Sequence, residues 1–272
     1  MSVASVIKRN NVIQKGNIDA EETLVFAHGY GSDQTAWRFI TPAFEKDYRL
    51  VLFDLVGCGQ SDADAYDRTR YGTLFDYATD LIQVCDALNL NRVTLIAHSV
   101  SGMIGALAAR QRPDLFSRII FIGASPCYLD DGEYVGGFTR DGVAGLLNAI
   151  GENYLAWAYG FAPVAMNAPD QPLLAGEFAR TLSSMRPDVS LGIASTIFLS
   201  DHRQDIVGLD VPVLIIQAHN DIAVPDQVGE YLHKVLKNSQ LCWISTTGHF
   251  PHLSNPVEVT RAIADYIEKL SV

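Results

Sequence analysis

Six short apolar runs rich in β-branched residues punctuate this chain, and much of what separates them is helical in pattern. They are LVFAH at 24–28, RLVLFDL at 49–55, RVTLIAH at 92–98, RIIFIGA at 118–124, VPVLIIQA at 211–218 and LCWIS at 241–245. Runs this short and this uniformly apolar read as strands covered on both faces, the condition of a mostly parallel sheet. Between the second and third runs, Leu74, Tyr77, Ala78, Leu81, Val84, Cys85 and Leu88 recur at helical spacing; after Pro256, Val259, Ile263, Tyr266 and Ile267 repeat it. Strand then helix, repeated, calls for right-handed crossovers with helices on both sheet faces. At 272 residues and 48% hydrophobic, the chain is long enough to bury one such core.

The alternation breaks between 128 and 200. That stretch holds Gly136-Gly137, several prolines and helical patterns rich in Leu, Ala, Phe, Tyr and Trp, without a convincing strand. It reads as a helical lid inserted over the strand ends, where open α/β sheets bind ligands. The expected organisation is therefore a core in two parts, 1–127 and 201–272, with the lid at 128–200.

Charge and targeting signals narrow the partners. A formal net charge of -11 argues against nucleic acid, whose phosphates need clustered Lys and Arg. The opening MSVASVIKRNNVIQKG has no signal-peptide apolar core, and no later run is long enough to span a bilayer. Cys58, Cys85, Cys127 and Cys242 are scattered without CxxC or Cys/His spacing, so neither a disulfide framework nor a zinc site is expected. A cytoplasmic location follows as the expectation.

The chemistry is carried by RVTLIAHSVSGMIGALAAR. A strand ends at Ala97-His98, Ser99 follows, and a helix begins with the small residues Ser101 and Gly102. A nucleophile elbow needs small residues two before and two after the serine, because its strained turn brings those backbones close. Ala97 and Ser101 are small, though the strict Gly-x-Ser-x-Gly pattern lacks both glycines. Alone, the segment also fits a serine that merely caps a helix. Two further segments tip the balance. VPVLIIQAHNDIAVP puts Asp221 just past a strand, and TTGHFPHLSNP puts His249 on the loop after the next one. The order Ser99, Asp221, His249 is that of the α/β-hydrolase fold and of no other serine-hydrolase fold. His249 would accept the Ser99 proton, and Asp221 would fix its tautomer. His252 competes for the base, but Gly248 gives His249 the freer loop position and Pro251 marks His252 as structural. His28, His98, His202, His219 and His233 read as structural or surface histidines.

An oxyanion needs donors already aimed at it, here the backbone N–H groups of Val100 and Tyr30. Tyr30 lies in AHGYGSDQ, where Gly29 and Gly31 allow a sharp turn and close approach. GCGQSD at 57–62 lacks the third glycine of a dinucleotide site and the Lys-Ser/Thr pair of a phosphate loop, so it reads as a plain loop. No nucleotide, metal or flavin cofactor is expected.

HGYGSDQTAW, FDLVGCGQSD, HSVSGMIG, RPDLFSRIIFIGASPCYLDD, GGF, ENYLAWAYGFAP, MRPD, SDHRQD and GHFPHLS together give a more specific signal. Over nearly its whole length the chain resembles the RsbQ-like α/β-hydrolases, bacterial stress-response regulators related to the plant karrikin and strigolactone receptors. Ala97 departs from the Gly usual before the His-Ser pair. The resemblance implies the triad Ser99, Asp221 and His249, an oxyanion hole from Tyr30 and Val100, and an apolar pocket beneath a four-helix cap. That pocket would be lined by Tyr30, Tyr128, Phe138, Phe161, Phe178, Phe198 and Ile222. By composition alone each aromatic is more often core, but their clustering in the lid favours a small-ligand site.

Two functions follow as expectations. One is an esterase-like serine hydrolase that cleaves a small hydrophobic ester, enol ether or lactone. The other is a non-processive receptor read by a partner protein, which for an RsbQ-like chain would be a PAS-domain phosphatase feeding the general stress sigma factor. Cofactorless haloperoxidases and C–C hydrolases use the same triad and form a third, weaker alternative.

Overall fold

The computed structural model describes residues 2–270. Helix α1 (Val3–Arg9) and strand β1 (Ile13–Gly16) precede β2 (Thr23–Ala27) and β3 (Arg49–Phe53). Next come α2 (Leu74–Ala87), β4 (Val93–His98), α3 (Val100–Gln111) and β5 (Phe116–Ile122). Four helices follow: α4 (Arg140–Glu152), α5 (Tyr154–Met166), α6 (Pro172–Ser183) and α7 (Pro187–Phe198). The chain then returns through β6 (Val213–His219), α8 (Asp226–Val235), β7 (Ser239–Thr247), α9 (Pro251–Ser254) and α10 (Pro256–Leu270).

The seven strands form one sheet in the order β1-β3-β2-β4-β5-β6-β7. All six apolar runs are strands of it, and every neighbouring pair among them is parallel. The seventh, β1, pairs antiparallel with β3 at the edge. The apolar pattern does not disclose β1, because its side chains stay exposed or half-buried, Ile13 among them.

Period-two alternation sends successive side chains to opposite faces. Leu24, Phe26, Leu52, Ile96, Ile120 and Ile216 pack with Trp37, Ile40 and Phe44 and with Val259, Ile263 and Ile267 of α10. Val25, Val51, Leu95, Ile119 and Ile215 face the other way, toward Leu81 of α2, Ile104 of α3 and Leu232 of α8. All six residues of the central β4 are buried. Each fully covered side chain of this size stabilises the fold by about 1.5–3 kcal/mol.

The four-helix insertion is punctuated by its own sequence. Pro172 and Pro187 open α6 and α7 at the first helical position, where a missing N–H costs nothing. Asn167, left-handed at φ 45°, ends α5. The buried faces carry Ala158, Ala162, Ala165, Met166, Phe178, Leu182 and Ile197, while Leu155, Tyr159 and Leu173 look outward.

Candidate active site

Ser99 stands where β4 gives way to α3, with φ 56° and ψ −127°. A serine that simply caps a helix has extended backbone and bonds the first turn through its side chain. Ser99 does neither: its side chain makes no cap hydrogen bond, and its backbone holds a strained conformation that costs about 1–3 kcal/mol. The turn is anchored, since the Ser99 N–H donates to the Ile122 carbonyl at 2.8 Å. The residue two positions on also works as an anchor. Ser101, fully buried where a strict elbow has glycine, donates its hydroxyl to the His28 carbonyl at 2.5 Å and ties α3 to the end of β2.

The structure brings His249 and Asp221 to this turn from β7 and β6. His249 Nε2 lies 2.8 Å from Ser99 Oγ, and His249 Nδ1 lies 2.7 Å from Asp221 Oδ2. A carboxylate only accepts, so Nδ1 carries the proton and Nε2 is left to accept from the serine. The other carboxylate oxygen, Oδ1, accepts the N–H groups of Ala223 at 2.8 Å and Val224 at 3.1 Å. All three side chains are more than nine-tenths covered. The loop carrying His249 is gripped through its main chain: its N–H donates to the Ala165 carbonyl at the end of α5, and its carbonyl accepts from His98 Nε2, each at 2.8 Å.

Val100 is the first residue of α3, a position whose N–H has no intrahelical partner and sits at the positive end of the helix dipole. The loop bearing Tyr30 is clamped from below. His28 Nδ1–H donates to the Gly29 carbonyl at 2.8 Å, while His28 Nε2 accepts the Leu55 N–H at 3.0 Å. Buried Asp54 accepts the N–H of Gln34 and of Gln60, each at 2.9 Å, so the 57–62 loop is strapped to its own strand end. The two glycines serve different contacts. A Cβ on Gly29 would stand 2.6 Å from His98 Nδ1 and 3.0 Å from Ser99 Cβ, whereas Gly31, at φ 73°, abuts Leu182 and Phe178 of α6.

Six of the seven expected pocket residues fall into two aromatic groups. Tyr128, Phe138 and Phe198 form one, with Phe198 centroids 5.1 Å from Tyr128 and 5.3 Å from Phe138. Main-chain bonds hold the first two together, the Phe138 N–H donating to the Tyr128 carbonyl at 3.0 Å. The Tyr128 hydroxyl reaches to 3.5 Å from Ser99 Oγ, and burial pushes its pKa up to about 12. In the second group Trp157 links Tyr30 to Phe161, on which it stacks at 5.2 Å, and Phe161 in turn meets Phe178. Tyr30 is fixed by its hydroxyl, 2.5 Å from Ser190 Oγ. Ile222 joins neither and is 44% exposed. The turn that aims the Ala223 and Val224 N–H groups at Asp221 carries those two residues inward and leaves Ile222 outside. Trp157 and Phe250, whose ring lies 4.4 Å from Phe178, pack with this second group, and no sequence pattern separated them from core aromatics. Among the described residues no three His, Cys, Asp or Glu side chains converge to hold a metal ion.

A mostly parallel sheet that delivers a serine, an acid and a histidine, in that order, from the ends of its strands defines a hydrolase of the α/β class. A family model described as alpha/beta hydrolase fold matches residues 22–256, and the chain belongs to that family. It is 42% identical over 262 residues to the strigolactone esterase D14 of Arabidopsis thaliana, covering 96% of this chain and 97% of that protein. To the karrikin insensitive 2 receptor CA of Petunia hybrida it is 41% identical over 248 residues, covering 91% and 92%. The solved structure of a hydrolase from Oleispira antarctica matches with a TM-score of 0.95 at 36% identity, over 98% of both chains. No helix of the described residues is long and apolar enough to cross a membrane.

Proposed function

We propose that the protein is a serine hydrolase of small hydrophobic esters, enol ethers or lactones, with Ser99 as nucleophile, His249 as general base and Asp221 as the orienting acid. The observation that carries this reading is the unbroken hydrogen-bond chain from Ser99 Oγ through His249 to Asp221. The proposed reaction takes place at an ester or lactone carbonyl of the ligand: Ser99 Oγ attacks the carbonyl carbon while its proton passes to His249 Nε2. The carbonyl oxygen takes up negative charge opposite the Val100 and Tyr30 N–H groups. Collapse expels the alcohol or enol, protonated by His249, and leaves an acyl group on Ser99. A water deprotonated by His249 then releases the acid. Asp221 stabilises the imidazolium in both halves.

Helices α4–α7 act in this reading as a lid, and the two aromatic groups give the substrate an apolar surround that excludes water. Hydrolysis of a p-nitrophenyl ester tests it. The wild-type protein releases p-nitrophenol, and Ser99→Ala lowers the rate by about three orders of magnitude or more. A rate unchanged in Ser99→Ala overturns the reading.

A second role, ligand sensing through a partner protein, is favoured by the relatives whose names are those of receptors and by the apolar outer face of α5 and α6, where Leu173 is 81% exposed. Slow hydrolysis would then serve to reshape the lid for a partner, a PAS-domain phosphatase in a stress pathway if the RsbQ-like resemblance extends to biology. A pull-down that recovers the same proteins with wild type and Ser99→Ala, with and without ligand, counts against that role.

A further inference from the structure

We infer that His98, the residue before the nucleophile, is a positioning residue for His249 through its ring N–H on the His249 carbonyl. The inference rests on the reading of Ser99 and His249 given above and adds a component to it.

The bond is 2.8 Å long and joins His98 Nε2 to the main-chain oxygen of His249. A carbonyl oxygen can only accept, so the His98 proton sits on Nε2 and Nδ1 is bare. Burial, reinforced by the neighbouring His252 and His249, holds His98 well below the ordinary histidine range and keeps this neutral form. Its ring cannot swing away: it is 1% exposed and wedged between His252 at 4.4 Å, His249 at 4.8 Å and Phe250 at 4.9 Å. Gly29 closes the remaining side, since even a Cβ there would stand 2.6 Å from His98 Nδ1.

The consequence is geometric. β7 ends at Thr247, so His249 lies two residues beyond the last strand position. His98, by contrast, is still a β4 residue, in register with Ile122 of β5. Its side chain therefore transfers the rigidity of the central sheet to the loop that carries the base. Nucleophile and clamp are adjacent in sequence, so any shift of the elbow carries the His249 carbonyl with it and preserves the Ser99–His249 distance. Reacting groups tolerate displacements of only a fraction of an ångström before rate is lost.

The test pairs two substitutions of similar size that differ in the donor. His98→Gln places an amide N–H near the Nε2 position, and His98→Met places none. With a p-nitrophenyl ester and active enzyme counted by a fluorophosphonate that labels Ser99, His98→Met is expected to lose about tenfold to a hundredfold in kcat at nearly constant KM. His98→Gln should recover most of that loss. Equal kcat in the two folded variants overturns the inference. In case neither variant folds, nitrogen-15 spectra of the wild-type protein decide: a proton on His98 Nε2, coupled across the hydrogen bond to the His249 carbonyl, supports the assignment, and a proton on Nδ1 overturns it. Failure of the underlying reading looks different, because a wild-type Ser99 that takes no label and cleaves no ester leaves the spectroscopic result intact.

Discussion

Asp221 grips His249 with one carboxylate oxygen, 2.7 Å from Nδ1, and spends the other on the N–H groups of Ala223 and Val224. The same side chain therefore orients the imidazole and builds the turn that holds it. Asp221→Asn should separate these tasks, since the amide oxygen can still accept from the turn while the amide nitrogen meets Nδ1 as a donor. The His249 proton would then be driven to Nε2, the wrong tautomer for accepting from Ser99. The expected outcome is a kcat lower by about four orders of magnitude with little change in thermal midpoint.

Gly29 is the second lever on the site. Gly29→Ala would press a methyl group against His98 Nδ1, on the last residue of β4, and against Ser99 Cβ, in the turn that follows it. Relief requires the loop bearing Tyr30, the proposed oxyanion donor, to retreat. We expect a loss of about 1–3 kcal/mol in stability by denaturant unfolding, and a fall of at least about tenfold in kcat/KM.

Tyr128 gives a test of the pocket. Its hydroxyl stands 3.5 Å from Ser99 Oγ, too long to move a proton, and its ring packs against Phe198. Tyr128→Phe is expected to leave kcat within about threefold. Tyr128→Ala should enlarge the site, raising KM for a short p-nitrophenyl ester while improving relative activity on a bulkier one.

Stability should be acid-sensitive through a histidine outside the chemistry. His252 is fully buried against Trp37, and its nitrogens have no hydrogen-bond partner among the described residues; burial lowers its pKa to about 3. The unfolded chain protonates it near 6.5 while the folded chain keeps it neutral, so between those values the unfolded state binds the extra proton. Its contribution is complete above about pH 6.5 and is lost as pH falls toward about 3, at about 1.4 kcal/mol per pH unit. His98 shifts in the same direction and adds to the slope. Urea unfolding of His252→Phe between about pH 6 and pH 4 should show a slope shallower by nearly one proton.

Much of this architecture could be read before any coordinates. The six apolar runs fall on six parallel strands, and the helical spacing after Pro256 falls on α10, because burial on two faces or on one stripe leaves a local periodic signature. Edge strand β1 left none, since its side chains are not covered. The resemblance implied Ile222 as a pocket residue, and nothing local in the sequence shows that it stands 44% exposed, because the direction of a side chain in a turn depends on which N–H groups the carboxylate captures.

The sequence by itself determined that Ser99, Asp221 and His249 follow strands of one sheet in a diagnostic order, because strand ends and chain order are local and additive properties. Only the tertiary structure decided that Ser99 and His249, 150 residues apart, meet at 2.8 Å, that Tyr128 leans toward the serine, and that His98 is bonded to the loop of the base. Those contacts join segments remote in sequence, and their distances are set by how side chains on both sheet faces pack, which no run of neighbouring residues encodes.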